Sequence, residues 1–137
     1  MLRDSVDDVD DDDFEALKVP QVTKLYSFPG QRADGQTIAI RSEGGYKSGD
    51  VDQYFKYVNV DRPIIKEVNV GQENSGDSSR GETTMDICIA GSAAVGATVA
   101  VYFSDGHAQG WVDLIKRVTF PEESDPICSI LSASYHL

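Results

Sequence analysis

The stretch TVAVYFS at residues 98–104 is a continuous run of apolar or small side chains. It is rich in Val, Tyr and Phe, which favour strands, and it lacks the polar alternation of a strand with one wet face. A run of this kind is typical of a strand that is buried on both faces of a parallel sheet. The stretch therefore predicts an α/β fold with this strand inside the sheet.

Helix and strand patterns alternate on both sides of this strand. Helices are predicted over 82–94 and 107–120, within 48–60, and in a short segment of 19–30 that ends at Pro29-Gly30. The other predicted strands are Thr37–Arg41, Ile64–Val70 and 127–135. Strands that alternate with helices form βαβ units, so we expect a mostly parallel sheet of about four strands with helices packed on it.

The side-chain patterns inside the helices make more specific predictions. Ser48 or Asp50 is suited to cap the second helix, whose apolar face comprises Val51, Tyr54, Phe55 and Val58. The inward face of the last helix comprises Trp111, Leu114, Ile115 and Val118. From Met85 onward, the helix at 82–94 is apolar or small on every side, which predicts that it has no solvent-exposed face.

The first 18 residues differ in composition from the rest of the chain. Residues 1–15 hold seven Asp, one Glu and one Arg, which is a net charge of −7 out of the total of −11. Such an acidic run is typical of a solvated tail, so we expect residues 1–18 to be disordered and residues 19–137 to form the folded portion. The segment also lacks the apolar centre of a signal peptide, and it gives no indication of the cellular location.

The composition argues against several kinds of partner and site. No run approaches the roughly 18 apolar residues of a membrane-spanning helix, and no basic stripe is present to bind a nucleic acid. His107 and His136 lie far apart and no CxxC pair exists, so we expect no transition-metal site and no cofactor. Cys88 and Cys128 are interpreted as buried thiols, although a disulfide stays open. Nucleotide binding by the loop at 43–50 is a further interpretation, although the loop fits neither of the glycine patterns that bind phosphate.

Glu82 and Asp86 are spaced four residues apart, which places them on one face of the predicted helix. The helix dipole explains an acidic residue in the first turn, but Asp86 lies in the second turn among apolar residues. A buried Asp needs a hydrogen-bond partner or a raised pKa. The pair is also suited to acid–base chemistry, in which one carboxylate transfers a proton and the other orients it.

Short motifs extend over most of the chain: YSFP (26–29), GQTIAI (35–40), GGY (44–46), YF (54–55), GETTMDICIAG (81–91), GATVAVYF (96–103), QGWVDLI (109–115) and SASY (132–135). In their order and spacing they resemble the N-terminal part of the catalytic domain of the sedolisin family, the kumamolisin-like serine-carboxyl peptidases. The resemblance covers about residues 19–136. It implies a partial subtilisin-like fold and proteolysis at acid pH, in a family that is mostly secreted or lysosomal.

The resemblance also implies roles for individual residues. Gly81, Glu82 and Asp86 match the family pattern G-E-x-x-x-D, which implies that Glu82 is the general base for a nucleophilic serine and that Asp86 orients Glu82. Ser134 and Tyr135 would line the substrate cleft, with their strand pairing with the bound chain. The implied substrate is a peptide or a protein.

The sequence departs from the family pattern at functional positions. The family's nucleophile lies in a G-T-S-x-x-x-P motif, and no G-T-S occurs in this chain. The family's oxyanion-stabilising Asp and calcium site would lie beyond Leu137. Ser42 stands where many members have a Glu that supports the Asp, and Glu43 is a candidate substitute. Tyr135 and His136 replace the family's Trp and Gly.

These observations together predict a truncated sedolisin-like peptidase. The chain would carry the Glu and Asp of the catalytic triad, lack the nucleophile, and be inactive by itself. The alternative is a non-catalytic assembly or peptide-binding module. In that case the strand at 127–135 would form an exposed sheet edge that binds a complementary fragment or a second copy of the chain.

Overall fold

Four parallel strands form a single sheet, and helices cover both of its faces. The computed structural model describes residues 16–134, so most of the acidic segment and the predicted site residue Tyr135 lie outside the described residues. The elements in chain order are α1 (Val19–Leu25), β1 (Thr37–Ser42), α2 (Ser48–Val58), β2 (Ile65–Asn69), α3 (Glu82–Ala93), β3 (Thr98–Phe103), α4 (Ala108–Thr119) and β4 (Ile130–Ser132). The predicted α/β class is confirmed, and the arrangement is consistent with a partial subtilisin-like fold.

The strand order is β2-β3-β1-β4, and every neighbouring pair is parallel. The strands β1 and β3 are paired along their whole length, from Thr37 opposite Thr98 to Ser42 opposite Phe103. Because parallel strands end at the same edge of a sheet, the loops that follow β1 and β3 emerge side by side. This edge is where α/β folds place their ligands.

The sheet separates two apolar layers. On one face, Ile40 of β1 joins Val99, Val101 and Phe103 of β3 in packing against α2 and α3. On the other face, Ala39, Ala100 and Tyr102 pack against Leu114 of α4. Successive side chains of β3 therefore enter two different buried layers. This confirms the prediction from its unbroken apolar sequence that β3 is buried on both faces.

The helix α3 does have a solvent-exposed face, so the prediction that it has none is wrong. The side chains of Met85 and Ile89 are 46% and 47% exposed. The buried residues of α3 are Thr83, Ile87, Cys88, Gly91 and Ser92. They form a single stripe, because the sheet and the helices α1 and α2 pack against α3 and leave the side with Met85 and Ile89 partly exposed. Met85 and Ile89 on the outer side border an apolar groove that Leu17 and Tyr57 also line.

Three other local predictions are wrong. Neither Ser48 nor Asp50 caps α2, because the helix begins at Ser48 itself and the hydroxyl of Ser48 accepts a hydrogen bond from Arg62. Ile115 is exposed, while the neighbouring Leu114 is completely buried. The last strand is shorter than 127–135, because only Ile130–Ser132 among the described residues of this range pair with β1.

The two cysteines are free thiols in different environments. Cys88 is buried on α3, where burial raises its pKa to about 11. Cys128 is only half-buried and contacts the hydroxyl of Tyr102. The prediction of buried thiols therefore holds for Cys88 but not for Cys128.

Candidate active site

A cleft of about 500 Å³ lies at the carboxyl end of β1, beside the first turn of α3. The loop after β1 lines one side of it, and the long loop between β2 and α3 lines another. Glu82, the first residue of α3, also lines the cleft. The cleft is open to solvent and large enough to hold several atoms of a bound chain.

A buried pair of hydroxyl groups joins the end of β1 to the first turn of α3. The Oγ of Ser42 and the Oγ1 of Thr83 lie 2.6 Å apart, and both residues are buried. The Oγ of Ser42 also accepts a hydrogen bond of 3.2 Å from the backbone N–H of Gly44. Because Thr83 directly follows Glu82 in the chain, this contact fixes the position of Glu82 relative to the sheet.

A second hydrogen-bond network holds the long loop that borders the cleft. The hydroxyl of Tyr46 donates to Glu67 at 2.8 Å, and the side-chain amide of Asn74 donates to the same Glu67 oxygen at 2.9 Å. The Asn74 carbonyl in turn accepts from the backbone N–H of Tyr46 at 3.1 Å. Burial and the neighbouring Glu67 raise the pKa of Tyr46, so its hydroxyl stays protonated as a donor.

The residue before α3 has a backbone conformation that only glycine adopts easily. Gly81 precedes the helix with φ of +68°, a left-handed conformation that is strained for residues with a Cβ. Glu82 then occupies the first turn, where the helix dipole favours a negative charge. The side chain of Glu82 is half-buried. The glycine thus allows the chain to turn sharply from the loop and present the carboxylate at the cleft.

Asp86 lies one helical turn behind Glu82, and its side chain is half-buried. The Oγ of Ser134 donates to its carboxylate, at 2.9 Å from Oδ1 and 3.0 Å from Oδ2. Burial raises the pKa of Asp86, the hydrogen bond from Ser134 lowers it, and the negative charge of Glu82 raises it further, with a net increase. Asp86 therefore has both the partner and the raised pKa that its place in the sequence requires.

The structure thus brings Asp86 and Ser134 into contact and places Glu82 on the same helix. Ser134 is not among the residues that line the cleft with Glu82, and it is hydrogen-bonded to Asp86 instead. Tyr135 is outside the described residues. The partner of Asp86 could not be found from sequence patterns, because 48 positions separate Ser134 from Asp86. The Tyr46, Glu67 and Asn74 network was missed for the same reason, since its members come from three separate segments.

Glu43 bonds elsewhere and does not reach Asp86. It forms an ion pair with the guanidinium of Arg41, whose side chain is almost fully buried. Arg41 also donates to the backbone carbonyl of Asp105 at 3.0 Å and lies 4.3 Å from the centre of the Trp111 ring. Ser42 is engaged with Thr83, so neither residue of this loop supports Asp86.

Within residues 16–134, no three His, Cys, Asp or Glu side chains lie close enough together to hold a metal ion. The helices in this part of the chain are also too short or too polar to cross a membrane.

Comparison with known proteins identifies two relatives, although no family model matches the sequence. The chain is 34% identical to tripeptidyl-peptidase sed5 of Aspergillus fumigatus over 140 aligned positions, which cover 88% of this chain and 24% of that protein. It is 36% identical to kumamolisin of Bacillus sp. strain MN-32 over 121 positions, which cover 83% of this chain and 22% of kumamolisin. The chain therefore spans about a quarter of the length of the curated relatives it matches. Both relatives are sedolisins, and this chain belongs to the sedolisin family of peptidases.

Proposed function

We propose that this chain carries the general base and its orienting residue of a serine-carboxyl peptidase site. Glu82 is the base and Asp86 is the residue that orients it. The observation that carries this proposal is the position of the two carboxylates one turn apart on α3, where Glu82 lines the cleft and Asp86 is hydrogen-bonded to Ser134. The relatives are named as peptidases, so the proposed substrate is a peptide or protein chain.

The chemistry of the pair suits proton transfer in acid. A serine hydroxyl at the cleft would lose its proton to Glu82, because a carboxylate stays partly ionised at a pH where histidine is fully protonated. Asp86 would orient Glu82 from the next turn of the same helix; burial raises the pKa of Asp86, and the negative charge of Glu82 raises it further. The substrate would pair as an extended strand near Ser134 and Tyr135, which follow β4.

The chain by itself lacks the nucleophile of the family mechanism. No G-T-S sequence is present among its 137 residues, so Glu82 has no family serine to deprotonate. Loss of a nucleophile removes almost all of the rate acceleration in a catalytic triad. We therefore propose that this polypeptide alone does not hydrolyse peptides.

An assay of the purified chain on an unfolded protein between pH 3 and pH 7 tests this proposal. The expected result is no cleavage above the blank, both for the chain and for its Glu82→Gln variant. Cleavage that disappears in Glu82→Gln would show that the chain is active by itself, contrary to the proposal. Cleavage that persists in Glu82→Gln would contradict the role of Glu82 as the base.

A second candidate function is assembly through the sheet edge formed by β4. This strand is at the end of the strand order, and Ile130 and Leu131 are 52% and 37% exposed. Apolar edge strands are sites at which further strands add to a sheet. Size-exclusion chromatography over a range of concentrations tests the idea, with Ile130→Lys as the variant that blunts the edge. Association that Ile130→Lys abolishes would support it, and a monomer at every concentration would contradict it.

A further inference from the structure

The contact between Ser134 and Asp86 joins the edge of the sheet to the helix that carries the carboxylate pair. Ser134 follows β4 by two residues, while Asp86 lies in the second turn of α3. The Ser134 hydroxyl is at hydrogen-bonding distance from both carboxylate oxygens, 2.9 Å and 3.0 Å. Such a contact restricts the rotation of the carboxylate.

The strand β4 has few other attachments. It pairs with β1 through three residues, all of which are exposed. Just before the strand, the backbone N–H of Ser129 bonds to Thr37 at 3.4 Å, and its hydroxyl bonds to Gln36 at 3.3 Å, both near the upper limit for a hydrogen bond. Within residues 16–134, the bond from Ser134 to Asp86 is therefore the hydrogen bond that attaches the segment after β4 to the rest of the fold.

Asp86 depends on the same contact. Among residues 16–134, Ser134 provides the hydrogen bonds that its carboxylate receives. Glu82, on the same helix, is the charged group that acts on it, and it acts by repulsion. Ser42, at the end of β1, is hydrogen-bonded to Thr83 and not to Asp86. Nothing else in the described part of the chain holds the Asp86 carboxylate in one orientation.

We propose that Ser134 is a positioning residue, whose hydroxyl fixes the Asp86 carboxylate beside Glu82 and couples the order of β4 to the carboxylate pair. The inference rests on the proposed function, because it takes Asp86 as the residue that orients the base. The coupling predicts that the pair is fully organised only while β4 stays paired with β1. The edge strand β4 would then help to orient the carboxylate pair, in addition to forming the end of the sheet.

The first test is an NMR titration of the Asp86 side-chain carboxyl carbon in the full chain, in its Ser134→Ala variant and in Ser134→Thr. The bond stabilises the charged carboxylate, so Ser134→Ala should move the Asp86 titration midpoint to higher pH. Ser134→Thr keeps the hydroxyl and should restore the midpoint of the parent chain. Ser132→Ala is the matched control, because Ser132 lies on β4 and its side chain makes no hydrogen bond to a described residue.

The titration separates positioning from a general loosening of the fold. Asp125 follows α4 and accepts a hydrogen bond from Arg117. It serves as the reference carboxylate and should titrate identically in every variant. An Asp86 midpoint that is unchanged in Ser134→Ala would overturn the proposal. The same holds if Ser132→Ala moves the midpoint as far as Ser134→Ala does, or if Asp125 shifts along with Asp86.

The second test reads the coupling from the opposite side. Backbone amides of β4 should exchange with deuterium several-fold faster in Asp86→Ala than in Asp86→Asn, because Asn keeps an oxygen that can accept from Ser134. Equal exchange in the two variants would overturn the coupling. Both tests measure the contact between Ser134 and Asp86 and require no hydrolysis. The positioning role of Ser134 can therefore be refuted while Glu82 is still shown to be the base, and it can be supported even if Glu82 is shown not to be the base.

Discussion

At the scale of single residues, the site depends on how two carboxylates are tolerated on one helix. Glu82 is favoured by its place in the first turn, but Asp86 is partly buried and repelled by Glu82, and among the described residues only Ser134 offsets this cost. The i, i+4 spacing was enough to predict a shared helix face. The identity of the compensating group was not predictable, because it depends on how β4 folds back beside α3.

The raised pKa of Asp86 has a consequence for stability. The folded state holds the Asp86 proton more tightly than the unfolded state does. The free energy of unfolding therefore falls as the pH rises from about the ordinary pKa of an aspartate through the higher pKa of Asp86 in the folded state. We expect Asp86→Asn to remove this loss, which comes from burial and from repulsion by Glu82, and to stabilise the protein at pH 7. The repulsion alone accounts for about 0.2–0.5 kcal/mol at this spacing. At pH 3 the gain should disappear.

Urea denaturation at pH 3, 5 and 7 measures this effect, with Asp113→Asn on the exposed face of α4 as the control. A variant Asp86→Asn that is less stable than the parent chain at pH 7 would show that the carboxylate is stabilised by its surroundings.

The buried hydroxyl pair leads to a second prediction at the residue scale. Ser42→Ala and Thr83→Val should each cost about 1–3 kcal/mol of unfolding free energy, because each leaves the other hydroxyl buried without this partner. The double variant should cost less than the sum of the two single changes, since it removes both polar groups together. Urea denaturation of the four proteins gives the coupling energy. Additive costs would mean that the two hydroxyls do not act as a pair.

At the scale of elements, the position of α3 depends on how closely it packs against α2 and the segment before β2. A Cβ added to Gly91 would come within 2.7 Å of Pro63 Cγ and 2.9 Å of Phe55 Cζ, so the glycine lets α3 approach α2 and the segment before β2. Apolar composition predicted the helix and its length well. It could not show which side faces outward, because that depends on small residues whose role is to make room for neighbours.

Replacing this glycine should therefore be costly. We expect Gly91→Ala to lower the free energy of unfolding by about 1–3 kcal/mol through overpacking. The matched control is Gly49→Ala in α2, where an added Cβ meets nothing within 4 Å. That change should stabilise the protein by up to about 1 kcal/mol, because alanine favours the helix more than glycine does. Thermal denaturation compares the two, and an equal effect of both changes would argue against close packing at Gly91.

At the scale of the whole molecule, the order β2-β3-β1-β4 places the ends of β1 and β3 side by side and α3 next to them. The unbroken apolar sequence of β3 and the alternation of elements were sufficient to predict a parallel α/β sheet. The strand order and the short, exposed β4 depend on long-range pairing, which local patterns do not encode. The family followed from motifs distributed along the chain rather than from any single site.

The proposed role of Glu82 is that of the base in a sedolisin site, once the remaining parts of such a site are present. A chimera tests it most directly, in which residues 19–137 of this chain replace the matching segment of kumamolisin. Its initial rate of peptide cleavage at acid pH is compared with that of the same chimera carrying Glu82→Gln, after circular dichroism has shown that both are folded. We expect an active chimera whose rate falls by at least about 100-fold in Glu82→Gln, the usual contribution of a general base. A folded chimera without activity, or one whose activity survives Glu82→Gln, would contradict it.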